Sequence, residues 1–128
     1  MYTTISIHNP KTMKTVTKFI ASLNKEVEYH VGENEEDNFH VIDNASPEDM
    51  WFHIDGYSSG HIIAKIDSMK LDKKNLRQIV TQGCVLCKEV SRYTHIKDIG
   101  VMYTRIKNVT KTETVGRVAL AKANVRIM

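Results

Sequence analysis

Hydrophobic and polar residues alternate with a period of two in several short stretches of this chain and follow a helical period in one long one. "MWFHID" (50–55) and "HIIAKI" (61–66) alternate as half-buried strands do, and "GYSSG" between them has the glycines of a hairpin loop. With Asp55 opposite His61, His53 faces Ile63 and Trp51 faces Lys65, so one face carries Trp51, His53, Asp55, His61 and Lys65. Phe52, Ile54, Ile62, Ala64 and Ile66 then point into the core.

The stretch 12–31, "TMKTVTKFIASLNKEVEYHV", admits two patterns. Met13, Val16, Phe19, Ile20, Leu23 and Val27 fit a helical stripe, whereas the Thr/Val-rich start, Asn24-Lys25 and the alternating "EVEYHV" fit a hairpin, the reading preferred here. "GENEEDN" (32–38) reads as a loop, "FHVI" (39–42) as a short strand, and "DNASPED" as a return. Pro10 and Pro47 both sit among turn residues. The helix runs over 72–93, with Asp72 as N-cap and Leu76, Ile79, Val80, Gly83, Cys84, Leu86, Cys87 and Val90 on its apolar stripe. "VMYTRIKNV" (101–109) is a strand, and "RVALAKANVRIM" is a strand with an irregularity near Ala121. The expected fold is α+β: a mostly antiparallel β-sheet built from hairpins, with one long helix packed on one face.

A length of 128 residues and the absence of any linker-like tract favour a single domain over 1–128. No apolar run is long enough to span a membrane, the start lacks a secretory apolar segment, and the two cysteines give no disulfide framework; a cytoplasmic setting is expected. Charge changes the picture more. Residues 1–64 carry a net of −6 and residues 65–128 a net of +9, which makes a polyanion the first candidate partner.

Three chemical readings weaken on inspection. Ser58 or Ser59 with His53 or His61 and Asp49 or Asp55 has the residue types of a hydrolase, but no G-x-S-x-G strand–turn–helix elbow accompanies them. The serines read as turn residues that bond their own loop. "CVLC" could combine with His40, His53, His61 or His95 at a zinc ion, yet both cysteines fall mid-helix on the apolar stripe, as small buried hydrophobes do. "GENEEDN" is too acidic to cradle phosphate. No catalytic residue, metal or cofactor is therefore expected.

Past residue 100, Arg105, Lys107, Lys111, Arg117, Lys122 and Arg126 accompany one carboxylate, Glu113. Alternation puts Tyr103, Arg105 and Lys107 on one face, and the helix adds Lys73, Lys74 and Arg77 in its first turns and Lys88 and Arg92 later. Cations that share a surface hold phosphates, and aromatic planes stack unpaired bases.

Motif order carries a resemblance. "EDMWFHIDGYSSGH" resembles the signature of the NFACT-R domain, "FIASLNKEVEYHVGENEEDN" its preceding hairpin and G-x-N loop (Gly32, Asn34, Asn38), and "VMYTRIKNVTKTETVGRV" its closing strand pair (Val101, Tyr103, Thr104, Val109, Lys111, Gly116, Val118). The likeness is clearest over 19–120, and "SSGH" is closer to the short stand-alone, coiled-coil-domain-containing members. It implies a non-enzymatic RNA-binding module of the kind found in ribosome quality control, with tRNA or rRNA as partner, DNA as the other polyanion, and the ribosome or its proteins as a setting. The candidate nucleic-acid-binding residues are Trp51, His53, Ser59, His61 and Lys65 on the signature hairpin, with Tyr103, Arg105, Lys107, Lys111, Arg117 and Lys122 beyond it. The alternatives are a protein-interaction module that docks a basic partner through the acidic half, and a hydrolase using His53 and His61. The family's loop usually carries a basic residue after its glycine; Glu33 stands there in this chain.

Overall fold

A computed structural model describes residues 3–7 as backbone and residues 14–128 in full. Pro10 and Met13 lie outside the described residues. The alternating stretches form strands: β1 (Thr3–Ile7), β2 (Lys14–Ile20), β3 (Lys25–Val31), β4 (Met50–Ile54), β5 (Ile62–Ala64), β6 (Gly100–Arg105) and β9 (Asn124–Ile127). They make one antiparallel sheet in the order β1-β2-β3-β5-β4-β6-β9. A second, two-stranded sheet pairs β7 (Val109–Lys111) with β8 (Val118–Leu120).

The hairpin reading of 12–31 holds from Lys14 onward. Asn24, at φ 51°, takes the left-handed turn that Asn tolerates, and Val16, Ile20, Val27 and Tyr29 are buried on one face. The long helix α2 (Lys73–Val90) starts where expected, with the Asp72 carboxylate accepting from Asn75 N at 2.8 Å. It lies on the sheet face lined by Phe52, Ile54, Ile62 and Val101. The approach is close at Gly83, where any Cβ would collide with the Phe52 ring.

Two stretches fold differently from the expectation. Residues 35–38 of the expected loop "GENEEDN" and the expected strand "FHVI" are instead a helix, α1 (Glu35–Asp43). Asn34 caps it by accepting from Asp37 N at 2.9 Å, and Glu35, Glu36 and Asp37 suit the positive end of its dipole. The expected strand 101–109 stops at Arg105 because the turn before β4 captures the next amides: Ile106 N donates to Asp49 O (2.8 Å) and Lys107 N to Pro47 O (3.0 Å). Lys107 thereby leaves the strand, and its ammonium shares the Glu48 carboxylate with Arg105. The irregularity near Ala121 is a change of sheet, since β8 pairs with β7 and β9 with β6.

The hairpin of β4 and β5 pairs two residues away from the expected register, with Trp51 opposite Ile63 and Phe52 opposite Ile62. A shift of two preserves the faces. Its cause is a corner where backbones touch: Gly32 N donates to His61 O (2.9 Å), His61 N donates to Asn38 Oδ1 (2.9 Å), and a Cβ on Gly60 would collide with the Gly32 carbonyl. Trp51, His53, His61 and Ile63 keep a common face, while Asp55 and Lys65 fall beyond the paired segment. That face is covered by Val41 of α1, by Ile106 in the turn after β6, and by Val109, Val118 and Leu120 of the small hairpin, so the sheet is packed on both sides.

Candidate functional site

Basic residues concentrate on the α2 side of the sheet. The first turns of α2 present Lys73 and Arg77; β6 presents Tyr103 and Arg105 on the same side; Lys122 and Arg126 come from the connection into β9 and from β9 itself. Together they line a groove of about 400 Å³ with Asn108 and Asn124, and no carboxylate is among its described lining residues. The Arg126 guanidinium lies 5.9 Å from the Tyr103 ring centroid and hydrogen-bonds Thr81 Oγ1, so this cation is held in place. Arg105 donates to the Glu48 carbonyl at 2.5 Å, and its Nε lies 3.7 Å from the Glu48 carboxylate. Lys73, Arg77 and Lys122 are exposed and form no ion pair with the described residues. Such a groove offers fixed and mobile cations around an aromatic ring, the materials for binding a polyanionic strand.

The remaining expected cations are not in it. Lys107 pairs with Glu48 (2.7 Å) and Lys111 with Asp43 (2.5 Å), both at the surface, and Lys111 also sits 5.2 Å from the Phe39 ring centroid. The two hydrogen-bonded lysines therefore neutralise carboxylates of the acidic half, and the nearby lysine pulls the Glu48 carboxyl below its usual range. Arg117 lies on the opposite side of the sheet. The expected shared surface of carboxyl-terminal cations is thus partial: Arg105, Lys122 and Arg126 meet there, and Lys73 and Arg77 complete it. The site residues expected from sequence do not include Lys73, Arg77 or Arg126, although the cations in the first turns of α2 signal the first two.

Lys65 has a different task. Its ammonium donates to Asp49 Oδ2 and to Asn44 O, both at 2.7 Å. Asp49 is fully buried and also accepts from Ser46 N, Ile66 N and Asp67 N, each at 2.8 Å. Burial pushes its carboxyl upward, but the Lys65 bond, the backbone N–H groups and the Lys65 charge outweigh burial and hold it below the ordinary value. This network locks the turn before β4 to the segment after β5.

The signature residues form a compact cluster on the opposite sheet face. Trp51 is buried, with its ring parallel to His53 at 5.7 Å and edge-on to His61 at 5.4 Å. The Trp51 indole N–H donates to His61 Nδ1 at 3.2 Å. An indole can only donate, so neutral His61 carries its proton on Nε2. Burial, assisted by His53, pushes the His61 pKa down to about 3 and keeps it neutral. His53 Nδ1 lies 2.6 Å from the Ile54 carbonyl, which only accepts, so its proton is on Nδ1 and Nε2 carries the lone pair. Burial lowers its pKa as well. Ser59 Oγ accepts from Ile54 N (3.1 Å) and donates to Gly60 O (3.3 Å), the self-bonded loop role expected of it. Asp49 is engaged elsewhere, and Asp55 is exposed in the turn. In α2, burial raises the Cys84 thiol to about 11 and the Cys87 thiol to about 12, away from thiolate chemistry.

No curated protein matches the sequence. The fold is similar to the C-terminal part of the fibronectin/fibrinogen-binding protein of Streptococcus suis, with a TM-score of 0.74 at 18% identity over 95% of this chain. The chain spans 47% of that structure's length. The family model described as the NFACT protein RNA binding domain matches residues 15–125, which include the Trp51–His53–His61 cluster and the groove residues other than Arg126. With nearly its whole length matched and the α+β fold in place, the chain belongs to the NFACT RNA-binding domain family.

Proposed function

We propose that this chain is a non-enzymatic RNA-binding module that holds the sugar–phosphate backbone of unpaired RNA in the groove between α2, β6 and β9. The observation that carries the reading is the meeting of Lys73, Arg77, Arg105, Lys122 and Arg126 around Tyr103 with no carboxylate among the described lining residues. Arginine and lysine neutralise phosphates, and the tyrosine ring offers a stacking plane that accepts any base. A setting on tRNA, rRNA or ribosomal complexes follows the family resemblance of the signature hairpin.

Ultraviolet crosslinking of the protein to a single-stranded RNA, followed by peptide mapping, tests the assignment. Adducts are expected on β6 at Tyr103 and on the first turns of α2, and the double variant Arg77→Glu/Lys122→Glu is expected to bind about tenfold more weakly or worse at low salt. Adducts confined to the β1–β3 end of the sheet, with unchanged affinity in the double variant, would overturn it. Crosslinking in cells followed by RNA sequencing then distinguishes tRNA from rRNA.

A further inference from the structure

The groove leaves the signature residues without a task. On the other face of the sheet they form the floor of a second cavity, of about 420 Å³. Trp51 and His61 are buried at its base, and Ser58, Tyr57 and Arg117 are exposed at its mouth. Its side walls are apolar, from Met102, Val118 and Leu120. The tip of the β7–β8 hairpin closes one side: Gly116, at φ 82°, is seated on Glu35 so closely that a Cβ would stand 2.8 Å from the Glu35 Cα. Among the described residues, Glu35 and Arg117 are its only charged lining residues, and they are of opposite sign. A phosphate is poorly served by such a lining; a neutral planar ring is well served.

The hydrogen bonds behind the cavity also fix what it offers. His61, with Nδ1 occupied by Trp51, keeps an N–H on Nε2. His53, with Nδ1 bonded to the Ile54 carbonyl, keeps an acceptor on Nε2. The two rings meet edge to face with centroids 5.1 Å apart, and both line the cavity. We propose that this cavity receives a single unpaired nucleobase of bound RNA, whose adjacent acceptor and donor are met by His61 Nε2–H and His53 Nε2 between the apolar walls. The proposal rests on the reading of the chain as an RNA binder. It adds a base-recognising site, on the opposite face from the groove, to one that grips the backbone. Polar pairs of this kind discriminate, because the wrong base edge leaves them buried and unmatched.

Trp51 is the sole tryptophan, so its indole N–H gives one NMR resonance that reports on the floor of the cavity. The full chain is titrated separately with the four ribonucleoside 5′-monophosphates, with ribose 5-phosphate, and with a short single-stranded RNA. At least one nucleotide and the RNA are expected to shift the indole resonance, and ribose 5-phosphate is not. Free-nucleotide binding with no response to RNA would overturn the proposal in favour of a nucleotide pocket. His53→Phe keeps the stack on Trp51 but removes the acceptor, and Ser58→Phe blocks the mouth from an exposed position without adding a second indole; each should weaken the nucleotide effect about tenfold. Arg77→Glu/Lys122→Glu should leave it intact, so loss of the groove reading and loss of this one are told apart. An indole resonance that no nucleotide moves, or that ribose 5-phosphate moves equally, overturns the cavity assignment whatever the groove does.

Discussion

The groove beside α2 and the cavity behind Trp51 share strand β6, Tyr103 facing the first and Met102 the second, yet they are built from opposite materials. The groove is a surface of cations whose side chains are largely solvated, and most of them hold nothing else together. In the cavity, polar groups are buried, and each bond to Trp51, His53 or His61 also supports the packing of the sheet. The physical consequence is a division of sensitivity. Changes at the groove alter what the molecule binds and leave its stability nearly untouched, whereas changes at the cavity alter both.

The largest stability effect belongs to His61. Truncation to Ala strands the Trp51 indole N–H and empties a buried volume, for an expected loss of about 2–4 kcal/mol measured by chemical denaturation. A loss as small as that of a surface change would dissolve the distinction between the two regions.

Acidification follows. The unfolded His61 titrates near 6.5, whereas in the fold its pKa is about 3. Between these values the unfolded chain binds a proton that the folded chain does not. Stability is therefore complete above about pH 6.5 and falls by about 1.4 kcal/mol per pH unit below it. His61→Gln should lose most of that slope. Asp49 acts in a separate, lower window: its carboxyl is held below the ordinary 3.8, so its contribution is present above that value and is lost only as pH falls further. Denaturation midpoints measured stepwise from neutral pH to about pH 4 report the histidine window before that of Asp49 opens.

Gly83→Ala comes next. Its Cβ meets the Phe52 ring, and helix and sheet must part slightly, at a cost of about 1–3 kcal/mol. RNA affinity should fall with it, because α2 carries one wall of the groove. By contrast, Arg77→Glu/Lys122→Glu should change stability by no more than about 0.5 kcal/mol per substitution. The smallest effect is expected at Lys107 and Lys111. Each is already committed to an exposed ion pair, worth about 0–1 kcal/mol, and neither lines the groove, so Lys107→Glu and Lys111→Glu should shift both stability and RNA affinity only slightly.

Much of the sheet was legible because alternation is a local property: "EVEYHV" and "MWFHID" sort their own faces, and a register shift of two leaves that sorting intact. The helix α1 was obscured by composition. Asp37 and Asn38 are buried polar residues and do not register as an apolar stripe, although Asn34 followed by Asp37 is a capping pattern that could have been read. The early end of β6 lay beyond local reading, since it depends on carbonyls of Pro47 and Asp49 far back in the chain. The same holds for the site. The cations were visible, but which of them meet carboxylates is decided by pairings such as Lys111 with Asp43 and Lys107 with Glu48. Arg77 and Arg126 come together only once α2 and β9 flank the same strand.

The central claim is that the groove's cations hold RNA phosphates, and the salt dependence of RNA binding tests it most directly. For single strands, the log–log slope of affinity against salt is about −0.7 per neutralised phosphate, so a strand engaging most of the groove should give a slope of about −3. Arg77→Glu/Lys122→Glu should flatten it by about 1.4. A wild-type slope near zero, or an identical slope in the double variant, would contradict the account.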